Sequence, residues 1–144
     1  MADKLIIEIF REKNAEEFTK ALAAPDSRLE TGSAAAMTAA VAMSLAARAA
    51  AACDQSGEKA QYIARNIETL RGYMVHLIDE DVKSRGPLRR AIKEGDARTI
   101  EAARQPAVCI DQEIINMMGQ ALELIAGLTE ICPKDSMHYV GEAA

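Results

Sequence analysis

Apolar residues recur at three- and four-residue intervals along almost the whole chain, which is the period of amphipathic helices. Lys4–Phe10 is the exception, reading as either a short extended arm or a helical turn. Asn14-Ala-Glu-Glu17 has the form of a capping box and opens a first helix carrying Phe18 and Leu22, which stops before Pro25. A polar loop from Asp26 to Gly32 follows. Ser33 is then a plausible N-cap for a second helix running to about Asp54. Twelve of the nineteen residues from Ala34 to Ala52 are alanine, so this helix should pack close to its neighbours, with Met37, Val41 and Leu45 as its larger knobs.

The third helix is expected over about Glu58–Ser84. Ile63, Ile67, Leu70, Met74 and Leu77 step along it as a seam of the kind that pairs helices in a bundle. The next step of four lands on Asp81. A buried carboxylate is costly unless it is partnered, so Asp81 needs a counterpart or a cavity. Arg48, the lone charge on the alanine helix, is one such counterpart. Gly86-Pro87 is expected to end this helix and open a short one that Gly95 breaks. Asp96 can cap two further turns ending near Gln105, and Pro106 suits the start of a long helix to about Cys132. Its seam is Ile110, Ile114, Met117, Ala121, Leu124 and Leu128, and Pro133 stops it. The tail from Lys134 reads as a loop and the first turn of another helix. The pattern therefore predicts one all-α domain over residues 1–144, an up-and-down bundle of about four to six helices. The bundle is expected to be incomplete at its C-terminus or covered by a partner, and a homodimer would bury the apolar surface left over.

Composition narrows the function. The 144 residues carry a net charge of −5 and only 3% aromatic residues. That balance argues against a phosphate-backbone surface or a stacking platform for single strands, so no nucleic-acid partner is expected. No segment forms a spanning helix apart from the alanine run that Arg48 interrupts, so no membrane partner is expected either. Cys53, Cys109 and Cys132 lack C-x-x-C spacing and read as ordinary thiols of a cytoplasmic protein.

Chemistry-bearing motifs are few. No phosphate loop, dinucleotide fingerprint, nucleophile elbow or H-E-x-x-H is present, and the two histidines are not at metal spacing, so no metal is expected. His76 lies beside the seam near Asp79 and Glu80 and reads as a flank histidine bonded to a carboxylate. Asp79 could pair with Lys83, while Glu80 faces water. Arg85, Arg89, Arg90 and Lys93 form either a solvated face or a receptor for an anionic tail.

Thr31-Gly-Ser-Ala-Ala-Ala-Met37, which follows a proline-containing loop and leads into a small-residue helix, resembles the formiminotransferase-cyclodeaminase family and its methenyltetrahydrofolate cyclohydrolases. Leu77-Ile-Asp-Glu-Asp81, Gln105-Pro106 and Val140-Gly-Glu-Ala-Ala144 resemble later family landmarks in the same order, over residues 14–144. The resemblance implies a cyclodeaminase-like helical homodimer with a tetrahydrofolate derivative as substrate and no other cofactor. The implied chemistry is ammonia loss from 5-formiminotetrahydrofolate or hydrolysis of 5,10-methenyltetrahydrofolate. It places Asp81 as general acid/base or as acceptor for the pterin edge. Thr31, Gly32 and Ser33 would approach the ligand through helix-start N–H groups, and Asp135 or, on another alignment, His138-Tyr139 would stand for the family's Ser-Asp motif. Charge alone adds Arg85 and Arg89 as candidates for the glutamate tail. The family's triple glycine is Glu30-Thr31-Gly32 here, and the aromatic that follows its Asp by four residues is Arg85. A non-catalytic interaction module on the same scaffold is the rival reading, and an unrelated small-ligand bundle the third.

Overall fold

The computed structural model describes residues 9–53, 57–134 and 137. The described residues contain four α-helices and no strand: α1 (Ala15–Ala23), α2 (Thr31–Ala51), α3 (Glu58–Glu94) and α4 (Ala97–Ile131), preceded by a 3-10 turn at Phe10–Glu12. The all-α reading therefore holds. The expected second-helix end at Asp54, and Asp135, His138, Tyr139 and the last helical turn, lie outside the described residues.

Helices α2, α3 and α4 form the body. Ser33 at the start of α2 meets Asp81 late in α3, and Lys59 early in α3 meets Glu130 late in α4. Successive helices thus run antiparallel, and α2 and α4 run parallel. The third-helix seam is correct: Ile63, Ile67, Leu70, Met74 and Leu77 are all buried. On α2 the buried apolar side chains are Ala36, Ala39, Ala40, Met43, Ala46, Ala49 and Ala50, so the expected row of knobs is corrected. Met37 and Leu45 are half-buried, and Val41 is 55% exposed. Alanines face the neighbouring helices because a close approach leaves no room for larger side chains. Helix α1 and the turn at Phe10 close one side of the α2–α3 pair with Phe10, Phe18 and Leu29.

The local signals explain most helix ends. Asn14 Oδ1 accepts from the Glu17 N–H at 2.9 Å, as its capping role requires. Gly95 has φ of 76°, a left-handed conformation that glycine adopts at no steric cost, and it ends α3. Asp96 Oδ2 then accepts from the Thr99 N–H at 2.8 Å and starts α4.

Pro87 and Pro106, expected as helix boundaries, lie inside helices. Helix α3 continues through Pro87, and α4 continues from Asp96 through Pro106. Proline removes one N–H donor and crowds the preceding turn, a cost of about 3 kcal/mol in a helix interior. Around Pro87, side chains on both sides are held by hydrogen bonds. Arg85 bonds Asp81 and Asp111, and Arg89 bonds Glu30 and the Arg28 carbonyl.

The cysteine reading is also corrected. Cys53 and Cys132 are joined in a disulfide with Cα atoms 4.9 Å apart, and the free, exposed thiol is Cys109. The bridge ties the end of α2 to the end of α4, a pairing that the helix packing creates and that residue spacing does not announce. The cysteine count therefore no longer argues for a reducing compartment.

Candidate functional site

The polar centre of the molecule lies where α3 passes the first turn of α2. Asp81 is fully buried, and its Oδ2 accepts from the Ser33 N–H at 2.8 Å and from the Ser33 hydroxyl at 2.6 Å. The Ser33 hydroxyl also lies 3.3 Å from the Ile78 carbonyl. Helix α2 therefore starts at Thr31, ahead of Ser33, because a carboxylate from another helix satisfies its first-turn donors. Ser33 is inside the helix and is not its N-cap. Gly32 makes the approach possible, since a Cβ at that position would sit 2.7 Å from Asp81 Cγ.

Asp81 Oδ1 receives Arg85 Nε at 2.8 Å, so its partner is Arg85 and not Arg48. Arg48 lies fifteen residues beyond Ser33 on α2, about 22 Å along the axis. Arg85 also donates to Asp111 at 2.6 Å and approaches Glu30 at 3.3 Å. Burial pulls the guanidinium's pKa down, but the bonds to Asp81 and Asp111 outweigh it, and the group is held above its ordinary value. Arg89 donates to Glu30 at 2.7 Å. Within the basic group, Arg85 and Arg89 are therefore engaged by carboxylates, while Arg90 and Lys93 are exposed.

Beside this network a groove of about 470 Å³ opens between α2 and α4. Thr31, Gly32, Arg85 and Asp111 form its polar end, and Ile114 and Ile115 stand among its apolar lining. Of the sequence-predicted site residues, Thr31, Gly32 and Arg85 line the groove. Asp81 and Ser33 lie behind its wall, bonded to each other, so the Ser33 N–H is not open to a ligand. Arg89 stands off to one side on Glu30. Asp111, with its side chain 41% exposed, is the groove carboxylate that sequence reasoning missed. It sits next to the α4 seam residue Ile110, and its partner Arg85 is 26 residues away, so no local spacing marks it.

The remaining acidic cluster is structural. Asp79 does not pair with Lys83. It is buried and accepts from the Phe10 N–H at 2.8 Å and the Arg11 N–H at 3.3 Å, with Arg11 Nε at 3.4 Å. Lys83 bonds Glu80 instead, and His76 lies 3.6 Å from Glu80, the flank role expected for it. Asp79 thus anchors the N-terminal turn while Asp81 anchors α2, which separates two acids that looked interchangeable. Among the described residues no three His, Cys, Asp or Glu side chains cluster to hold a metal ion.

The family model for formiminotransferase-cyclodeaminase matches residues 14–143. The chain belongs to the formiminotransferase-cyclodeaminase family. No curated protein and no solved structure matches it. Membership places the chain in a family of folate one-carbon metabolism. Glu30 and Arg85, where the resemblance sets a glycine and an aromatic, lie 3.3 Å apart as an ion pair. Arg89 adds a second cation to the same carboxylate.

Proposed function

We propose that the groove between α2 and α4 binds a reduced folate and that the protein acts on its one-carbon unit. The reaction is ammonia loss from 5-formiminotetrahydrofolate or hydrolysis of 5,10-methenyltetrahydrofolate. The observation that carries this reading is the exposed Asp111 carboxylate at the polar end of an apolar groove, beside the glycine turn of a family member. A pterin edge presents adjacent N–H donors, which one carboxylate accepts together. The same group is suited to move a proton. In the ammonia-losing reaction the folate's second nitrogen bonds to the formimino carbon and gives up its proton, the carbon–amine bond breaks, and the departing amine takes a proton and leaves as ammonia. Asp81 is the positioning residue in this reading: it holds the α2 turn and aligns Arg85, which in turn aligns Asp111.

The test is calorimetric titration with folinate, together with the absorbance change of methenyltetrahydrofolate turnover. Folinate is expected to bind, and Asp111→Ala is expected to weaken binding at least tenfold while leaving the helical circular dichroism unchanged. Absence of heat with millimolar folinate would sink the proposal.

The Glu30–Arg85–Arg89 unit favours a second reading, in which the scaffold serves assembly and the ionic unit occupies the former ligand site. Glu30→Gly separates the two. Gained folate affinity supports a covered site, whereas a loss of stability alone supports the scaffold.

A further inference from the structure

Helices α3 and α4 enclose a second groove, of about 510 Å³, that shares no lining residue with the one between α2 and α4. Three contacts set the antiparallel register of its walls. Lys59 bonds Glu130 at one end, and a Cβ on Gly127 would sit 3.0 Å from Ile63 Cδ1 close by. The Tyr73 hydroxyl donates to Glu113 at the other end. Fourteen residues separate Lys59 from Tyr73, so the groove is about 21 Å long. On this register Glu123 lies across from Asn66, about 6 Å along the axis from Tyr62. Ile63 and Leu70 are buried in the floor, with Met117 and Leu124 half-buried beside them. The rim is polar: Tyr62, Thr69, Gln120 and Glu123 are exposed, Tyr62 by 61%. Both tyrosines among the described residues line this groove, in a chain with only 3% aromatic residues. A ring exposed beside an apolar floor is contact surface that the fold itself leaves uncovered.

We propose that this groove binds a small alkyl- or arylammonium ion, with the cation between the Glu123 carboxylate and the Tyr62 ring and the apolar body along Ile63, Leu70 and Met117. Charge selects a cation. The groove and its end pairs hold Glu113, Glu123 and Glu130 against Lys59, a net charge of −2 (3 carboxylates, 1 ammonium). Lys59 is engaged by Glu130 and Glu113 by Tyr73, whereas Glu123 accepts no hydrogen bond from any described residue. Its carboxylate is therefore open to an N–H donor, and the neighbouring ring offers an electron-rich face that attracts a cation. An anion would meet three carboxylates, and a neutral apolar ligand would leave Glu123 unused. The volume suits a small molecule, lying within the roughly 300–1,000 Å³ of ligand pockets. A partner helix is the poorer occupant. At about 10 Å across, it would have to ride over the Lys59–Glu130 and Tyr73–Glu113 bridges that join the walls at both ends. The site stands independently of the folate reading.

Calorimetric titration of the full chain with 3-phenylpropylammonium tests it, with 4-phenylbutyrate as a control of the same ring and linker but opposite charge. The chain has no tryptophan, so a change in tyrosine emission reports the same event. The ammonium is expected to bind about tenfold more tightly than the carboxylate, and that preference to shrink as salt is raised. Glu123→Lys is expected to weaken ammonium binding about tenfold and Tyr62→Ala about threefold, as suits an exposed carboxylate and an exposed ring. Thr69→Trp fills the groove from its rim and is expected to abolish binding. All three positions are exposed, so helical circular dichroism is expected to be unchanged. Absence of binding at about 10 mM ammonium overturns the proposal. So does equal binding of the carboxylate, or an affinity unmoved by Glu123→Lys or by Thr69→Trp.

Discussion

Asp81 shows how much one position in a seam can reveal. Its place four residues after Leu77 marks it as buried and in need of a partner, and the structure buries it completely. The partner was not readable, because Ser33 and Asp81 are 48 residues apart and only packing brings them together. Gly32 carries the sharpest consequence. A methyl group there would meet the Asp81 carboxyl, and both are fixed by neighbours on two helices. Gly32→Ala is therefore expected to destabilise the fold by about 1–3 kcal/mol, the cost of forcing atoms into a filled site. Urea unfolding measures it, and a midpoint equal to wild type would mean that Asp81 does not sit over this turn. Asp111 was illegible for the opposite reason: a half-exposed acid beside a seam resembles any solvated side chain until its cross-helix partner is known.

Among the elements, ends set by local chemistry were legible and ends set by tertiary partners were not. Asn14, Gly95 and Asp96 act through hydrogen bonds or dihedrals within a few residues, and all three mark real boundaries. Proline opposes a helix interior, which marks Pro87 and Pro106 as boundaries in the sequence, yet both helices run through them. The Asp96 cap gives a pH-dependent prediction. Bonds from the Thr99 hydroxyl and N–H hold the Asp96 carboxyl below its ordinary pKa. A depressed acid stabilises the fold above its unfolded pKa of about 3.9, and that contribution is lost as pH falls through the lower folded value. Asp96→Asn should therefore lower the melting temperature at pH 7 by more than it does at pH 3. Equal shifts at both pH values would count against a charge-dependent cap.

For the whole molecule, the disulfide bears on how the three long helices stay together. The bridge closes a loop of 79 residues and joins the ends of two helices that are not adjacent in sequence. Restricting the unfolded chain this way contributes about 2–4 kcal/mol. Reduction with dithiothreitol is expected to lower the stability by that amount, read as a shift of the urea midpoint at constant slope. Cys53→Ser should reproduce the shift and abolish its response to reductant. A midpoint indifferent to reductant would show that the bridge contributes nothing.

The sequence by itself determined the helical class, the α3 seam, the burial of Asp81, the chemistry of three helix ends and the family. Each of these follows from periodicity, from interactions a few residues long, or from the order of motifs. Tertiary structure alone decided which residues meet. It placed Ser33 under Asp81, joined Glu30 to Arg85, carried α3 and α4 past their prolines, bonded Cys53 to Cys132 and brought Asp111 to the groove. Those outcomes depend on distances between residues remote in the chain. A helical repeat says which side of each helix is apolar but not the depth and angle at which neighbouring helices settle, and it is that settling which decides which polar groups lie within bonding reach.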